Sequence, residues 1–295
     1  MTRLSAVLAA ALLGRGLLSP GVVRFSLYAA LLLMACSWGY LLIGTDSKLG
    51  ELFQSQTWSH AGGFLRQLLG LGSDRLPVYL QGSEWAEKFR LAYRTLAMSV
   101  LAIGIAGAGA LLTLLPGARN VSNGELGGRP SQIGSLLYYL VRLSYTFTRA
   151  VPELVWALIV VFFFSGGVLA GAIALGLHNF GVVGRLSSEV VENLEPNQAR
   201  ALRAAGASNL ETLAYGILPQ AMPQLITYLL YRWEVVIRTT VVVGFVSASG
   251  LGREFRLSLS YFNYTDVMLI LLWYLLLVLG VDLLSSWLRR QVRLG

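Results

Sequence analysis

Arg232, Glu234 and Arg238 are the residues best suited to act on a solute, because they place three charges within two helical turns of an otherwise apolar stretch, 222–245. A charge at the bilayer centre costs about 2.5–3.5 kcal/mol on insertion scales, so such side chains face protein or water rather than lipid. Glu234 and Arg238 stand four residues apart and are expected to pair along one helix face. Arg232 is then left in excess, and an excess cation beside a water-filled path attracts anions. Two roles are open to these charges: an ion-pair network between helices, with Glu153 or Glu189, or the lining of a solute path. His178 and Asn179, inside another apolar stretch, carry the same alternatives of hydrogen-bonded structure or ligand contact. Ser247 and Ser249, in the run Ser-Ala-Ser-Gly-Leu-Gly, are expected in a re-entrant outer turn near that path, since irregular backbone at membrane depth survives only where protein or water satisfies it. Bond-breaking chemistry has no support. The chain lacks H-E-x-x-H and G-x-x-x-x-G-K-[ST], and His60 and His178 belong to no nucleophile–base pair or metal cluster.

The elements that hold these residues are membrane helices. Hydrophobic residues make up 55% of the chain and charged ones 13%, with mean hydropathy +0.63, which places it among multi-span membrane proteins. The expected fold is all-α and polytopic, with six transmembrane helices at 25–44, 93–115, 145–164, 168–190, 222–245 and 265–288. The 295 residues form one membrane domain with no room for a nucleotide-binding domain. Within 1–22 the apolar stretch Leu4–Leu13, flanked by Arg3 and Arg15, is too short to span about 30 Å of hydrocarbon, and the segment reads as an interfacial helix on the cytoplasmic face. The transmembrane domain then runs over 23–295, with an outer loop at 45–90 and core helices over 93–288. The net charge of +8 needs no nucleic acid to explain it. Arg24, Arg119, Arg129, Arg200, Arg203, Arg289, Arg290 and Arg293 fall on one side of a six-span chain, which the positive-inside rule makes cytoplasmic, with both termini. The single cysteine, Cys36, can build neither a disulfide nor a metal site within one chain.

Residues 194–218 are a polar insert between two apolar segments. Pro196 suits the first turn of a helix, and Ala199, Ala201, Ala204 and Ala205 continue it. Gly206 is placed to stop that helix in the left-handed conformation, and Ser208 with Glu211 forms a capping box for a second one. Leu218 and Pro219 are expected to end the second helix and turn the chain into the fifth span. This pattern resembles the coupling loop of ABC importer permeases, the E-A-A-x-x-x-G…L-P motif, where an ATPase subunit docks. The resemblance implies ATPase-coupling roles for Arg200, Ala201, Arg203, Ala204, Gly206, Ala207, Glu211 and Pro219. One departure stands out: Arg200 occupies the position where importers usually carry Glu, and Glu195 or Glu211 could supply the acidic contact instead.

Three further segments are similar to the phosphonate-import permease family. They are Arg149 through Trp156 with Pro152 and Glu153, Gly176 through Arg185 with His178 and Asn179, and Tyr231-Arg232-Trp233-Glu234 onward to Gly252. Membership would imply a type I importer permease fold, a second copy of the chain, two ATPase subunits on the cytoplasmic side, and an extracytoplasmic solute-binding protein. ATP and Mg would be bound by the ATPase, leaving this chain without a cofactor, a metal or an enzymatic role. It would sit in a bacterial inner membrane and carry phosphonates, phosphite or related phosphorus oxyanions. The path candidates are Glu153, His178, Asn179, Arg232, Glu234, Arg238, Ser247 and Ser249. The alternatives are an ABC permease for another small solute and an ion-gradient transporter using Glu153, Glu189 and Arg238. The latter class is often built from two related halves, and no such symmetry is evident in the sequence.

Overall fold

The structure is a computed structural model and describes residues 20–44, 50, 53–72, 75–124, 132–208, 211–247 and 249–294. Most of the expected interfacial helix at 1–22, and Arg129, lie outside the described residues. Every regular element among those residues is helical. The chain divides into two units, 1–65 and 66–295.

The first unit holds α1, Pro20–Gly39, extended by a π-helical turn at Tyr40–Gly44. Its stretch Gly21–Leu42 is long and apolar enough to cross a membrane, and it buries nothing within its own unit. A helix apolar on all sides is stable only when lipid or other protein surrounds it. The helix α2, Ser55–Leu68, runs across the boundary between the units.

In the second unit the connection leading into α3 is tied to itself and to the first turn of that helix. Tyr79 Oη donates to the Leu69 carbonyl at 2.9 Å, and Trp85 Nε1 donates to the Tyr79 carbonyl at 2.8 Å. The helix α3, Gly82–Thr113, therefore starts well before the span expected at 93–115, and the region 45–90 is substantially helical rather than one long loop. The central helix is α7, Val168–Glu192, which packs against α3 through small residues. A Cβ on Gly176 would lie 2.9 Å from Ile105 and 3.3 Å from the Ala102 carbonyl oxygen. Such close approach supplies packing contacts in lipid, where apolar burial gives helices little reason to associate. Met98, Ala102, Leu175, Val236 and Val243 form the main core around α7.

The expected third span, 145–164, is not one helix. Instead α5, Gln132–Ala150, and α6, Glu153–Phe163, meet at a 98° bend. Pro152 causes the break. It lacks an N–H, its ring excludes the preceding turn, and it disfavours helical geometry at Val151. Pro152 adopts ψ 147° and restarts the chain as the cap of α6, its carbonyl accepting from Trp156 N at 3.1 Å.

After α7 come the short α8, Asn197–Ala204, then α9, Leu218–Ser247, and α10, Gly250–Ser260, the last two bent by 59°. The final helix, α11, is Tyr264–Leu294. Four described helices are long and apolar enough to cross a membrane, or six spans result if each bent pair counts as one.

Candidate functional site

The break at Pro152 strands the carbonyl of Val151, and α7 reaches across to it. His178 Nδ1 lies 3.0 Å from that oxygen, and its Nε2 lies 3.8 Å from Glu153 Oε1. A carbonyl only accepts, so Nδ1 carries the proton in this contact. The next residue, Asn179, is fully buried and accepts two bonds from Arg232 on α9, at 2.9 Å from Nε and 2.6 Å from Nη2. Glu153, His178, Asn179 and Arg232 thus come together around one bend, joining α6, α7 and α9. Arg232 has no carboxylate within ion-pair distance among the described residues; Lys88, Arg142, Arg185, Arg238 and Arg289 each do.

The expected Glu234–Arg238 pair does not form. Glu234 receives Arg289 Nη1 at 2.5 Å, and Arg238 Nη2 donates to Asp282 Oδ2 at 2.6 Å. Both partners lie on α11, which packs against α9. Ser285 and Ser286 hydroxyls also accept from Arg289, at 2.6 and 3.0 Å, so the guanidinium gains more hydrogen bonds there than an i,i+4 neighbour could offer. Glu189 is likewise drawn elsewhere, to Arg185 and, at 4.0 Å, to Arg142. Ser247 and Ser249 are 0% and 6% exposed, packed within the junction of α9 and α10. The Ser249 N–H donates to the Gly244 carbonyl at 3.3 Å.

The sequence reading missed the group at the C-terminal end of α7. Arg142 of α5 is 8% exposed and binds Glu192, which also accepts from the Arg119 backbone N–H at 2.7 Å. Asn120 Nδ2 donates to the Val191 carbonyl at 2.8 Å. The helix α4, Arg119–Ser122, is thereby tied to the end of α7, just before the chain enters the polar insert. An arginine within the apolar run 136–148 was the available signal.

In that insert, α8 ends in a pair of bonds typical of a left-handed stop. Ala207 N donates to Leu202 O at 3.0 Å and Gly206 N to Arg203 O at 2.9 Å, with Gly206 at φ 91°. The capping box follows: Ser208 N donates to Glu211 Oε2 at 2.7 Å and Glu211 N to Ser208 Oγ at 3.3 Å. The Ser208 backbone N–H, and then its hydroxyl, hold the Glu211 carboxyl below the usual carboxylate range. A depressed pKa stabilises the folded form above the ordinary value of about 4.3, and that contribution is lost as pH falls through the folded value.

Beyond the cap, the expectation that Leu218 and Pro219 end a second helix fails. A π-helical stretch, Thr212–Ile217, runs directly into α9. Leu218 N–H bonds back to the Leu213 carbonyl, an i→i+5 closure, and the next residue is the proline that has no N–H to place. The widened turn lets the backbone pass Pro219 without stopping.

Ala199 and Ile217 anchor the insert to a core of Leu114, Val190, Val191 and Leu225. The opposite side is open: Arg200, Ala201, Ala204, Gly206, Ser208, Glu211 and Pro219 are exposed, Arg203 and Ala207 are half-buried, and Tyr215 is 73% exposed. Gly206→Val places a β-branched residue at a left-handed position, at a local cost of about 1–2 kcal/mol. Amide hydrogen exchange in α8 should speed up severalfold, while exchange in α7 stays at the parental rate. Unchanged exchange in α8 would contradict this account of the stop.

A family profile described as binding-protein-dependent transport system inner membrane component matches residues 126–294. The chain is 36% identical over 199 residues to the phosphite transport system permease protein PtxC of Stutzerimonas stutzeri, covering 68% of this chain and 69% of that protein. It is 31% identical over 204 residues to the phosphate-import permease protein PhnE of Mycolicibacterium smegmatis, covering 69% of this chain and 36% of that one. Among solved structures, a chain of the MetNI methionine ABC transporter in inward-facing conformations aligns with TM-score 0.57 at 21% identity, over 69% of this chain and 95% of that one. An amino acid ABC transporter chain aligns with TM-score 0.54 at 20% identity. At these identities the likeness is one of fold.

Proposed function

This chain belongs to the family of binding-protein-dependent transport system inner membrane components, and from that premise we propose that it carries phosphite, phosphonates or closely similar small phosphorus oxyanions. The observation that carries the cargo class is Arg232, a half-buried cation held by a neutral amide at a helix break. It agrees with the phosphite and phosphate named for the two relatives. A permease must lower the barrier for its solute without holding it in a deep well, which would slow release. One uncancelled guanidinium supplies that modest attraction for an oxyanion.

ATP and Mg are bound by two ATPase subunits on the cytoplasmic side, and this chain contributes the docking surface. The exposed edge of 194–218, with Glu211 as its acidic group and Tyr215 as an aromatic anchor, fits that role. The outer side receives the solute-binding protein, and both termini are cytoplasmic. The working unit contains a second copy of this chain. The Arg238–Asp282 pair supports this, being 48% and 34% exposed in a single copy although both residues lie within spanning helices. Lipid is a costly neighbour for that pair, and a second copy or the shared path removes it from lipid.

Reconstitution tests the assignment. Proteoliposomes containing this chain, its ATPase and its binding protein should take up phosphite or methylphosphonate only with ATP inside the ATPase compartment. Uptake driven by an ion gradient without ATP would sink the proposal. A cysteine at Ser208 should crosslink to the ATPase, and its labelling by an impermeant reagent added outside intact cells would reverse the orientation.

A further inference from the structure

Asn179 has both ends of its side-chain amide in use. Nδ2 donates to the Leu175 carbonyl one turn earlier at 2.8 Å, and Oδ1 accepts from Nε and Nη2 of Arg232. Only the NH2 end can donate to a carbonyl, so the Leu175 bond determines which way the amide points and leaves oxygen toward the guanidinium. Two bonds to one oxygen hold Arg232 much as a carboxylate would, but with a partner that carries no charge. Four other arginines on the spanning helices are held differently. Arg142, Arg185, Arg238 and Arg289 are each neutralised by a carboxylate. Glu153, the carboxylate at the same bend, acts on Arg232 only at longer range and lies 3.8 Å from His178.

On the reading of this chain as an oxyanion importer, we infer that Asn179 is a positioning residue that keeps Arg232 fixed and free of a direct carboxylate partner. The amide settles where the guanidinium points, and its neutrality leaves the charge for the passing solute. The chemistry that recognises such a site is a small tetrahedral oxyanion, which can accept the N–H groups that Asn179 does not use. A neutral or zwitterionic solute gains little from it.

Asn179→Asp is the informative change, because it keeps the size and the bidentate contact while cancelling the charge. In the reconstituted complex it should still assemble, with a thermal midpoint near the parental one, because the ion pair gained with Arg232 offsets the lost Nδ2 bond to the Leu175 carbonyl. Radiolabelled phosphite uptake should fall at least about tenfold, the scale of one charge contact in a half-buried site. An assembled but silent permease is a combination that a purely structural asparagine does not produce. Arg232→Gln should lose uptake to the same extent. Asn179→Ser, which offers a neutral acceptor, should lose no more than about threefold, because the charge survives.

Normal uptake by Asn179→Asp together with loss in Arg232→Gln would overturn the role of Asn179 and leave the oxyanion path standing. Normal uptake by both would remove Arg232 from the path altogether. If Asn179→Asp does not assemble, the comparison of Asn179→Ser with Arg232→Gln decides. Serine retaining uptake supports the inference, and serine falling as far as Arg232→Gln refutes it.

Discussion

Arg289→Ala is expected to destabilise the purified subunit by about 3–5 kcal/mol, the range for removing one partner of a buried ion pair. Glu234 and Arg289 are 12% and 19% exposed, so little solvent is available to screen the carboxylate left behind. The loss extends beyond one contact, because Arg289 also engages the Ser285 and Ser286 hydroxyls and fastens the C-terminal part of α11 to the middle of α9. Arg238→Ala provides the comparison. Its pair with Asp282 is 48% and 34% exposed in a single copy, so the carboxylate left behind is less enclosed by protein and the loss should be smaller. Thermal unfolding of the detergent-solubilised subunit should therefore separate the two variants widely. Removing both charges in Glu234→Gln/Arg289→Ala should recover part of the loss, since no buried carboxylate then stands alone. Equal destabilisation by Arg238→Ala and Arg289→Ala would show that the pairing across α9 and α11 is not the source of stability.

The sequence contains the i,i+4 spacing of Glu234 and Arg238 but not the proximity of α11, and this is where local reasoning stopped. A helix surface rule ranks neighbours within one helix at a few tenths of a kcal/mol. A tertiary partner flanked by two hydroxyls outweighs it, and which helix lies alongside is a matter of topology. The same limit hid the contact of Arg232 with Asn179, 53 residues apart. Features made within a few residues were legible in full: the stop at Gly206 and the Ser208–Glu211 box depend only on local backbone chemistry. Prolines were legible in part. Pro152 carried the signal for the 98° bend, but the length of the apolar run around it suggested a single span. Pro219 carried a stop signal that the π-helical stretch overrides. Arg142 fell just before the expected start of a span at 145, so its burial against Glu192 was not anticipated.

Gly252→Ala should disrupt the junction of α9 and α10 more than any other single methyl considered above. A Cβ at this position would fall on the Val241 carbonyl oxygen and lie 2.9 Å from Gly244 Cα and 3.0 Å from the Gly244 carbonyl carbon. All three atoms are backbone, so no side chain can rotate away to make room. Gly244 faces the same crossing, where its own Cβ would meet the Ser249 carbonyl oxygen at 2.8 Å. The two glycines thus let α10 fold back against α9 after the bend, and Gly250 completes the turn at φ 63°. That turn also presents the Leu251 N–H to Thr95 Oγ1 of α3 at 2.9 Å. Overpacking usually costs about 1–3 kcal/mol, and backbone-on-backbone contact puts this site at the upper end. The expected result is a subunit with a lowered thermal midpoint, together with faster amide exchange in α10 and at Leu251. The inner half of α9, near Arg232, should exchange at its parental rate. Gly280→Ala on α11 is the control, since a Cβ there meets nothing within 4 Å and should leave stability unchanged. If Gly252→Ala matches that control, the close crossing of α9 and α10 does not exist in the membrane, and the buried placement of Ser247 and Ser249 falls with it.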